Sequence, residues 1–147
     1  MVSISAMTSR TKRADLAAML APLVRELIAA ELPVLEAHGL SMWGYTVLLA
    51  LDRSPMRTQA ALAEAIGADK TRIIPTLDEL QQRGYIERRP DPDDRRVRLL
   101  AITSSGRDVK DAVQEEIQRG EEQWLGTLSA EDRRAFLRAL QQLSPWQ

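Results

Sequence analysis

Hydrophobic residues recur every three or four positions along most of the chain, which is the period of an amphipathic helix. The first apolar face is made by Leu16, Leu20, Leu23 and Leu27. It predicts a helix from Lys12 onward, with a kink or a break near Pro22 and near Pro33, because proline removes a backbone donor and clashes one turn back. The face is wide for an exposed helix, so we expect it to be buried against a second copy of the chain.

Two shorter helices are predicted next. Ser41 is placed to cap a helix from Met42 to Leu51, because its side-chain oxygen can accept from a backbone amide in the first turn. A short helix follows from Gln59 to Ile66, where Leu62 and its apolar neighbours form the buried side. Together with the next helix, this segment has the pattern of a helix-turn-helix pair.

The second helix of this pair is predicted to start at Asp69, a favourable cap, and to reach about Arg83. Its outward face is polar and holds Lys70, Thr71, Arg72 and Thr76. Pro75 lies within it, and a proline at this position should bend the helix or shift its effective start. An ordinary amphipathic surface helix remains the alternative interpretation of this face.

A hairpin is predicted after this helix. Two extended runs, Tyr85 to Arg89 and Val97 to Ile102, flank a turn that contains two prolines and three aspartates. The hairpin region is rich in arginine, whose planar fork suits phosphates and guanine edges. These arginines are Arg83, Arg88, Arg89, Arg95, Arg96 and Arg98.

The chain is predicted to finish with two helices. Thr103 can cap a long helix starting at Ser104, in which Gly120 marks a point of weakness. Ser129, followed by an acidic residue three positions later, opens the last helix. The apolar faces of these helices have few residues within one copy of the chain to cover them, which again favours a dimer.

Composition narrows the function. The 147 residues contain no cysteine and one histidine, which argues against disulfides, thiolate sites and histidine-rich metal sites. The formal net charge is −1, but residues 53–107 hold 11 Lys/Arg against 8 Asp/Glu, a local excess of 3. Such a local basic surface fits a nucleic-acid partner, with a solvated charged surface as the alternative. We find no nucleophile–base motif, phosphate loop, membrane span or signal peptide, so we expect a cytoplasmic protein that is not an enzyme and needs no cofactor.

The ordered motifs Arg83-Gly84, Asp91 to Arg96, and Thr103-x-x-Gly106 resemble those of the MarR family of winged helix-turn-helix transcriptional regulators. With the helix pattern, the resemblance extends over roughly residues 16–143. It implies a mainly α fold with a small β-hairpin wing, in which a winged helix-turn-helix is joined to a helical dimerisation region.

The resemblance also implies a division of the chain. Residues 12–40 and 104–147 would form the helical dimerisation region, and residues 41–103 the winged helix-turn-helix DNA-binding region. Residues 1–11 are polar and without periodicity, which independently predicts a flexible tail. The implied function is sequence-specific DNA binding by a homodimeric repressor that reads a pseudo-palindromic operator in double-stranded DNA and is released by a small-molecule effector. The alternative is a winged-helix protein-interaction module without sequence-specific DNA binding.

Specific residues follow from the resemblance. Recognition-helix contacts are expected from Lys70, Thr71, Arg72 and Thr76, and wing contacts from Arg88, Asp94, Arg95 and Arg96. The aspartate at position 94 would orient the arginine at position 96, which would enter a minor groove. A plain surface ion pair is the alternative for these two residues.

A small aromatic or lipophilic effector is the further partner that the resemblance implies. Candidate lining residues are His38, Met42, Trp43 and Tyr45, because aromatic and polar groups gather where the first two predicted helices meet. Core and cap packing is the alternative for this cluster. A single histidine is more often structural than a sensor.

Overall fold

The computed structural model describes residues 12–56 and 58–144, and within them six helices surround one short antiparallel hairpin. The helices are α1 (Leu16–Ala37), α2 (Met42–Arg53), α3 (Gln59–Ile66), α4 (Ile74–Gln82), α5 (Ser104–Leu125) and α6 (Ala130–Leu143). The strands are β1 (Ile86–Pro90) and β2 (Arg98–Ile102). The predicted fold class, mainly α with a small hairpin, is confirmed, whereas the predicted tail at residues 1–11 lies outside the described residues.

The first helix differs from the prediction in two ways. It begins at Leu16 rather than at Lys12, with Asp15 in an extended conformation as the residue before it. α1 continues through both Pro22 and Pro33, so neither proline breaks the helix, and the predicted alternative of a kink stays a prediction. Each proline removes only one backbone hydrogen bond from the helix, and the adjacent turns retain theirs.

The hydrophobic core lies between the end of α1, the helices α2, α3 and α4, the hairpin and α5 as far as Ile117. Its fully buried side chains include Leu48, Leu51, Leu62, Leu77, Leu100 and Val113. Burying a side chain of this size stabilises the fold by about 1.5–3 kcal/mol. The core therefore fixes the helix-turn-helix segments and the hairpin to one end of the long helix α5.

Side-chain caps fix where four of the described helices begin, and one of them, Thr58 before α3, was not predicted. Ser41, Thr103 and Ser129 each accept a hydrogen bond from a backbone amide three residues later, as predicted. Such a cap stabilises a helix start by about 1 kcal/mol. The long helix α5 continues past Gly120 to Leu125.

The two strands of the hairpin each begin one residue later than predicted. Tyr85 is outside β1 because its amide bonds the carbonyl of Leu80 in α4, and Val97 is outside β2 because it belongs to the turn. The pairing runs from Ile86 opposite Ile102 to Pro90 opposite Arg98. An additional bridge joins Met56 to Leu100, with N–O distances of 2.9 and 2.7 Å.

None of the described helices is both long enough and apolar enough to cross a membrane.

Candidate nucleic-acid interface

The segment from Asp69 to Gln82 begins as a capped turn and becomes a helix only at Ile74. The Asp69 carboxylate accepts from the backbone amides of Thr71 (2.9 Å) and Arg72 (3.1 Å). Pro75 has no N–H to donate to the carbonyl of Thr71, and that carbonyl accepts from Ile74 instead, at 3.4 Å. The predicted shift of the helix start by Pro75 is confirmed, and the prediction of one continuous helix from Asp69 is wrong.

This shift places the predicted contact residues on two different elements. Lys70, Thr71 and Arg72 lie on the turn before α4, and all three are exposed. Thr76 lies inside α4, where it is half-buried beside the fully buried Leu77. The three polar side chains on the turn are therefore more exposed to solvent than the side chain of Thr76 in α4.

The exit from α4 is set by Gly84. Its φ of 80° is in the left-handed region, which favours glycine because a Cβ would be strained there. The amide of Gly84 bonds the Gln81 carbonyl at 3.0 Å, and the amide of Tyr85 bonds the Leu80 carbonyl at 2.9 Å. These two bonds form a Schellman motif, which reverses the chain from α4 into β1.

Thr103 and Gly106 join the base of the hairpin to α5. The Thr103 hydroxyl donates to the Gly84 carbonyl at 2.6 Å and accepts from the Gly106 amide at 3.0 Å. The Thr103 amide donates to the Tyr85 carbonyl at 3.0 Å. A Cβ at position 106 would lie only 2.1 Å from that carbonyl oxygen, so glycine is required there. The Thr103-x-x-Gly106 motif thus holds α4, the hairpin and α5 together.

A compact turn forms the tip of the hairpin. The amide of Asp91 bonds the Val97 carbonyl at 2.9 Å, and the amide of Val97 bonds the Asp94 carbonyl at 2.9 Å. The Asp91 side chain is buried and accepts from the Asp93 amide at 2.9 Å. Aspartates at the tip therefore shape the loop through bonds to backbone amides.

Within this tip, Asp94 binds the guanidinium of Arg96 through both carboxylate oxygens. Arg96 Nε is 3.2 Å from Asp94 Oδ1, and one terminal nitrogen is 3.3 Å from Oδ2. The Arg96 amide also donates to Oδ1, at 3.1 Å. The Arg96 side chain remains 91% exposed. Because a guanidinium has five N–H donors and two of them bond Asp94, this arrangement orients the group while leaving donors for a further ligand.

The other two predicted wing residues differ in their surroundings. Arg88, on β1, is half-buried and donates to the side-chain carbonyl of Gln81 on α4. Arg95, at the tip, is exposed beside Arg96. Arg88 therefore links the hairpin to α4, and Arg95 lies at the outer surface.

Arg83, which belongs to the same arginine cluster in the sequence, contacts other residues of the protein with its guanidinium. It donates to the Gly39 carbonyl at the junction of α1 and α2, and its guanidinium carbon lies 4.8 Å from the centre of the Tyr85 ring. Sequence reasoning did not predict this contact, which joins residues 44 positions apart. Arg83 thus links the end of α4 to the end of α1.

A separate cleft of about 610 Å³ opens between α2, the end of α3 and α5. It is lined by Met42, Trp43, Thr46, Leu49, Asp52, Arg53, Ile66, Lys110 and Gln114. Two of the predicted effector residues, Met42 and Trp43, are in this lining, and the other two are elsewhere. His38 Nε2 lies 3.2 Å from Glu116 Oε1, at the contact of α1 with α5. Tyr45 is in the core, where burial, followed by the carboxylates of Glu31 and Glu121, raises its pKa to about 12.

One wall of the cleft contains an ion cluster. Lys110, which is buried, lies 2.7 Å from Asp52, and Arg107 lies 2.8 Å from the same carboxylate. Hydrogen bonds from Lys110 and Arg107 lower the pKa of Asp52. Burial alone would lower the pKa of Lys110, but hydrogen bonds to Asp111 and Asp52 outweigh it and the pKa is raised. The cleft therefore combines an apolar floor with fixed charges. Among the described residues, no group of three or more histidine, aspartate or glutamate side chains is arranged to hold a metal ion.

The chain is similar to known transcriptional regulators. The family model described as MarR family matches residues 38–97. The transcriptional regulator HosA of Escherichia coli O127:H6 is 30% identical over 99 residues, which are 67% of this chain and 73% of HosA. The HTH-type transcriptional regulator YdgJ of Bacillus subtilis (strain 168) is 28% identical over 102 residues. That match spans 69% of this chain but only 62% of YdgJ, less than two thirds of its length.

Solved structures of similar fold include two of CouR. CouR from Rhodococcus jostii RHA1 bound to p-coumaroyl-CoA is 26% identical, with a TM-score of 0.71 over 86% of this chain and 90% of that one. The transcriptional repressor CouR bound to a 23-mer DNA duplex is 24% identical, with a TM-score of 0.72 over 97% of this chain and 98% of that one. The second comparison shows the fold alone.

Proposed function

This chain belongs to the MarR family of transcriptional regulators, and we propose that it is a homodimeric repressor that reads a pseudo-palindromic operator and is released by a small-molecule effector. Members of this family are DNA-binding transcription factors rather than enzymes. In this proposal, residues 41–103 contact DNA, and residues 12–40 and 104–147 form the dimer.

The observation that carries the proposal is the Asp94–Arg96 pair at the hairpin tip. An aspartate close to DNA would repel the phosphates unless an adjacent cation offset its negative charge. Here both of its oxygens bind a guanidinium that is otherwise open to solvent. An arginine that is held in one orientation by a carboxylate suits insertion into a narrow minor groove, where the negative potential is enhanced.

The recognition turn supplies the second set of contacts. Lys70 and Arg72 place positive charge at its exposed side, and Thr71 adds a hydroxyl that can donate or accept. Lys70 is assigned to a phosphate, and Thr71 and Arg72 to base edges in the major groove. Thr76 has a smaller role, because it is half-buried. In the wing, Arg88 supports the hairpin from β1, and Arg95 contacts phosphate.

The proposed dimer accounts for the apolar surface that one copy of the chain leaves exposed. On α1 this surface comprises Leu16, Met19, Leu20, Val24, Ile28 and Leu32, and on α6 it comprises Leu137, Leu140 and Leu143. A stretch of this kind on a soluble chain usually marks a protein–protein contact. In a twofold dimer the same surface would cover itself, and the two recognition turns would lie on one side of the molecule.

The cleft beside α2 is the proposed effector site. Its size is within the range of small-molecule pockets, and its lining combines Met42 and Trp43 with the charged Lys110. The structure of CouR with p-coumaroyl-CoA supports an aromatic or lipophilic ligand class for a related regulator. His38 and Tyr45, outside this lining, serve as packing residues in this proposal.

Selection of bound duplexes from a randomised pool at constant salt tests the function. The proposal predicts an enriched pseudo-palindrome whose half-sites lie about one helical turn, roughly 34–36 Å, apart. Arg72→Ala, selected in parallel, should enrich a motif with a changed base at one position in each half-site. Weak binding to all duplexes without an enriched motif would contradict the proposal and favour a winged-helix module that binds another protein.

A further inference from the structure

Two apolar side chains are exposed at the start of the recognition helix. Ile74, the first residue of α4, is 38% exposed, and Pro75 next to it is also exposed. Their neighbours on the surface, Lys70, Thr71 and Arg72, are polar or charged. At such a basic surface, exposed apolar groups can contact an apolar group of a ligand that the charges attract.

The geometry of α4 shows which way this pair faces. Each residue turns an α-helix by about 100°, so Pro75 lies about 200° around the axis from Leu77, whereas Ile74 lies about 300° from it, which is only about 60° to its other side. Leu77 and Leu80 are fully buried against the core. Pro75 is therefore on the side opposite the core, and Ile74 is at the edge of the buried face, where it remains 38% exposed. Thr76, one of the four predicted contact residues of this segment, is turned partly toward the core.

The charges along the recognition segment locate the contact further. Lys70 and Arg72 precede Ile74, whereas Asp78 and Glu79 follow it and are exposed in the next turn of α4. Phosphates attract the first pair and repel the second. A duplex would therefore approach the beginning of α4 most closely, where Ile74 and Pro75 are.

We propose that Ile74 and Pro75 are specificity-determining residues that contact the C5-methyl groups of thymines in the major groove; this rests on the DNA-reading function proposed above. The thymine methyl is the only apolar group that a base pair presents in that groove. Neither side chain has a hydrogen-bonding group, and Pro75 also lacks a backbone N–H. Contact with a methyl is thus the chemistry that this part of the surface offers.

Replacing thymine by deoxyuridine in the operator obtained by selection tests the inference, because it removes the methyl and leaves the base-pair hydrogen bonds unchanged. With wild type, deoxyuridine at one or two positions in each half-site should weaken binding about fourfold per methyl, equivalent to about 0.8 kcal/mol. The experiment needs no protein variant, so a folding defect cannot mimic the result.

Two variants then assign the effect to residues. Ile74→Ala or Pro75→Ala should reduce the thymine-to-deoxyuridine ratio to less than about twofold, with the fold checked by circular dichroism. Lys70→Ala, a matched change in the preceding turn, should weaken binding to both duplexes equally and keep the ratio. The slope of log affinity against log salt concentration for Lys70→Ala should correspond to one phosphate contact fewer than for wild type.

The outcomes separate this inference from the function on which it rests. An enriched operator whose affinity is unchanged by deoxyuridine at every position overturns the thymine contact and leaves the repressor proposal intact. An operator without thymine in its half-sites, or a ratio that is the same in both variants as in wild type, also overturns it. The absence of any enriched motif would overturn the proposed function and this inference together.

Discussion

Replacing Gly106 by alanine tests how the hairpin is held to α5. The added Cβ would lie 2.1 Å from the Tyr85 carbonyl oxygen and 3.0 Å from Cγ1 of Ile102. A carbon–oxygen contact of normal length needs about 3.3 Å, so the backbone at Tyr85 must move by roughly 1 Å. That carbonyl accepts from the Thr103 amide, and the movement would break the bond.

The expected loss of stability follows from these contacts. Forcing a methyl into a packed site costs about 1–3 kcal/mol. Losing the bond between Thr103 and Tyr85 costs about 0.5–1.5 kcal/mol more. Alanine offsets up to about 1 kcal/mol, because it favours a helix more than glycine does. We therefore expect Gly106→Ala to lower the free energy of unfolding by about 0.5–4.5 kcal/mol.

Gly120→Ala is the matched control, because Gly120 is in the same helix and its Cβ would meet nothing within 4 Å. It should stabilise the protein by about 0.5–1 kcal/mol. Urea denaturation followed by circular dichroism measures both variants, at one protein concentration since a dimer's stability depends on it. If Gly106→Ala were as stable as Gly120→Ala, the close contact at Tyr85 would be refuted.

Three further outcomes are expected. Asp52→Asn should destabilise the protein at pH 7 by about 1–3 kcal/mol, because Lys110 stays buried with one carboxylate fewer. In urea titrations, the difference in free energy of unfolding between wild type and Asp52→Asn should persist above the unfolded aspartate pKa of about 3.9. It should vanish as the pH falls through the lowered pKa of Asp52 in the folded state. A difference that stays the same at every pH would contradict the ion pair. Arg83→Ala should lower the free energy of unfolding by about 1–3 kcal/mol and Arg83→Lys by less, because only arginine can both bond Gly39 and stack on Tyr85; equal losses would remove the stacked geometry. Leu20→Glu should halve the mass measured by sedimentation, because it places a charge in the proposed dimer surface; an unchanged mass would exclude α1 from that surface.

Much of the fold was predictable because its signals are local. The caps at Ser41 and Thr103 lie directly before an apolar face of helical period, and both helices begin where predicted. The effect of Pro75 was also predictable, since a missing N–H acts on a carbonyl four residues away in the same segment. The start of α1 was predicted four residues too early, because the polar residues before Leu16 carry no signal that ends a helix.

Contacts between distant parts of the chain were not predictable. Arg83 appears in the sequence as one more member of a basic cluster, and only the fold brings it to the Gly39 carbonyl. Met56 pairs with Leu100 through a single bridge, which is too short to produce an alternating pattern. The cleft similarly joins Trp43 of α2 to Lys110 of α5, so its lining could not be deduced from neighbours along the chain.

The arrangement of the hairpin tip was predictable only in part. The resemblance implied that Asp94 orients Arg96, and the ion pair between them is present in the structure. Two residues apart in a tight turn, they need no distant contact to meet. An exposed ion pair by itself stabilises a fold by only about 0–1 kcal/mol. The presence of the pair therefore does not reveal its role, and contact with DNA stays a prediction.

The most direct test of the proposed function is the affinity of wild type, Arg96→Ala, Asp94→Ala and the double variant for the selected operator at one salt concentration. Arg96→Ala should bind more than about tenfold more weakly, a loss of about 1.4 kcal/mol or more, with an unchanged circular dichroism spectrum. Asp94→Ala should lose less, and the double variant should bind as weakly as Arg96→Ala alone, because the aspartate acts through the arginine. Wild-type affinity in Arg96→Ala would contradict the account and remove the wing from DNA recognition.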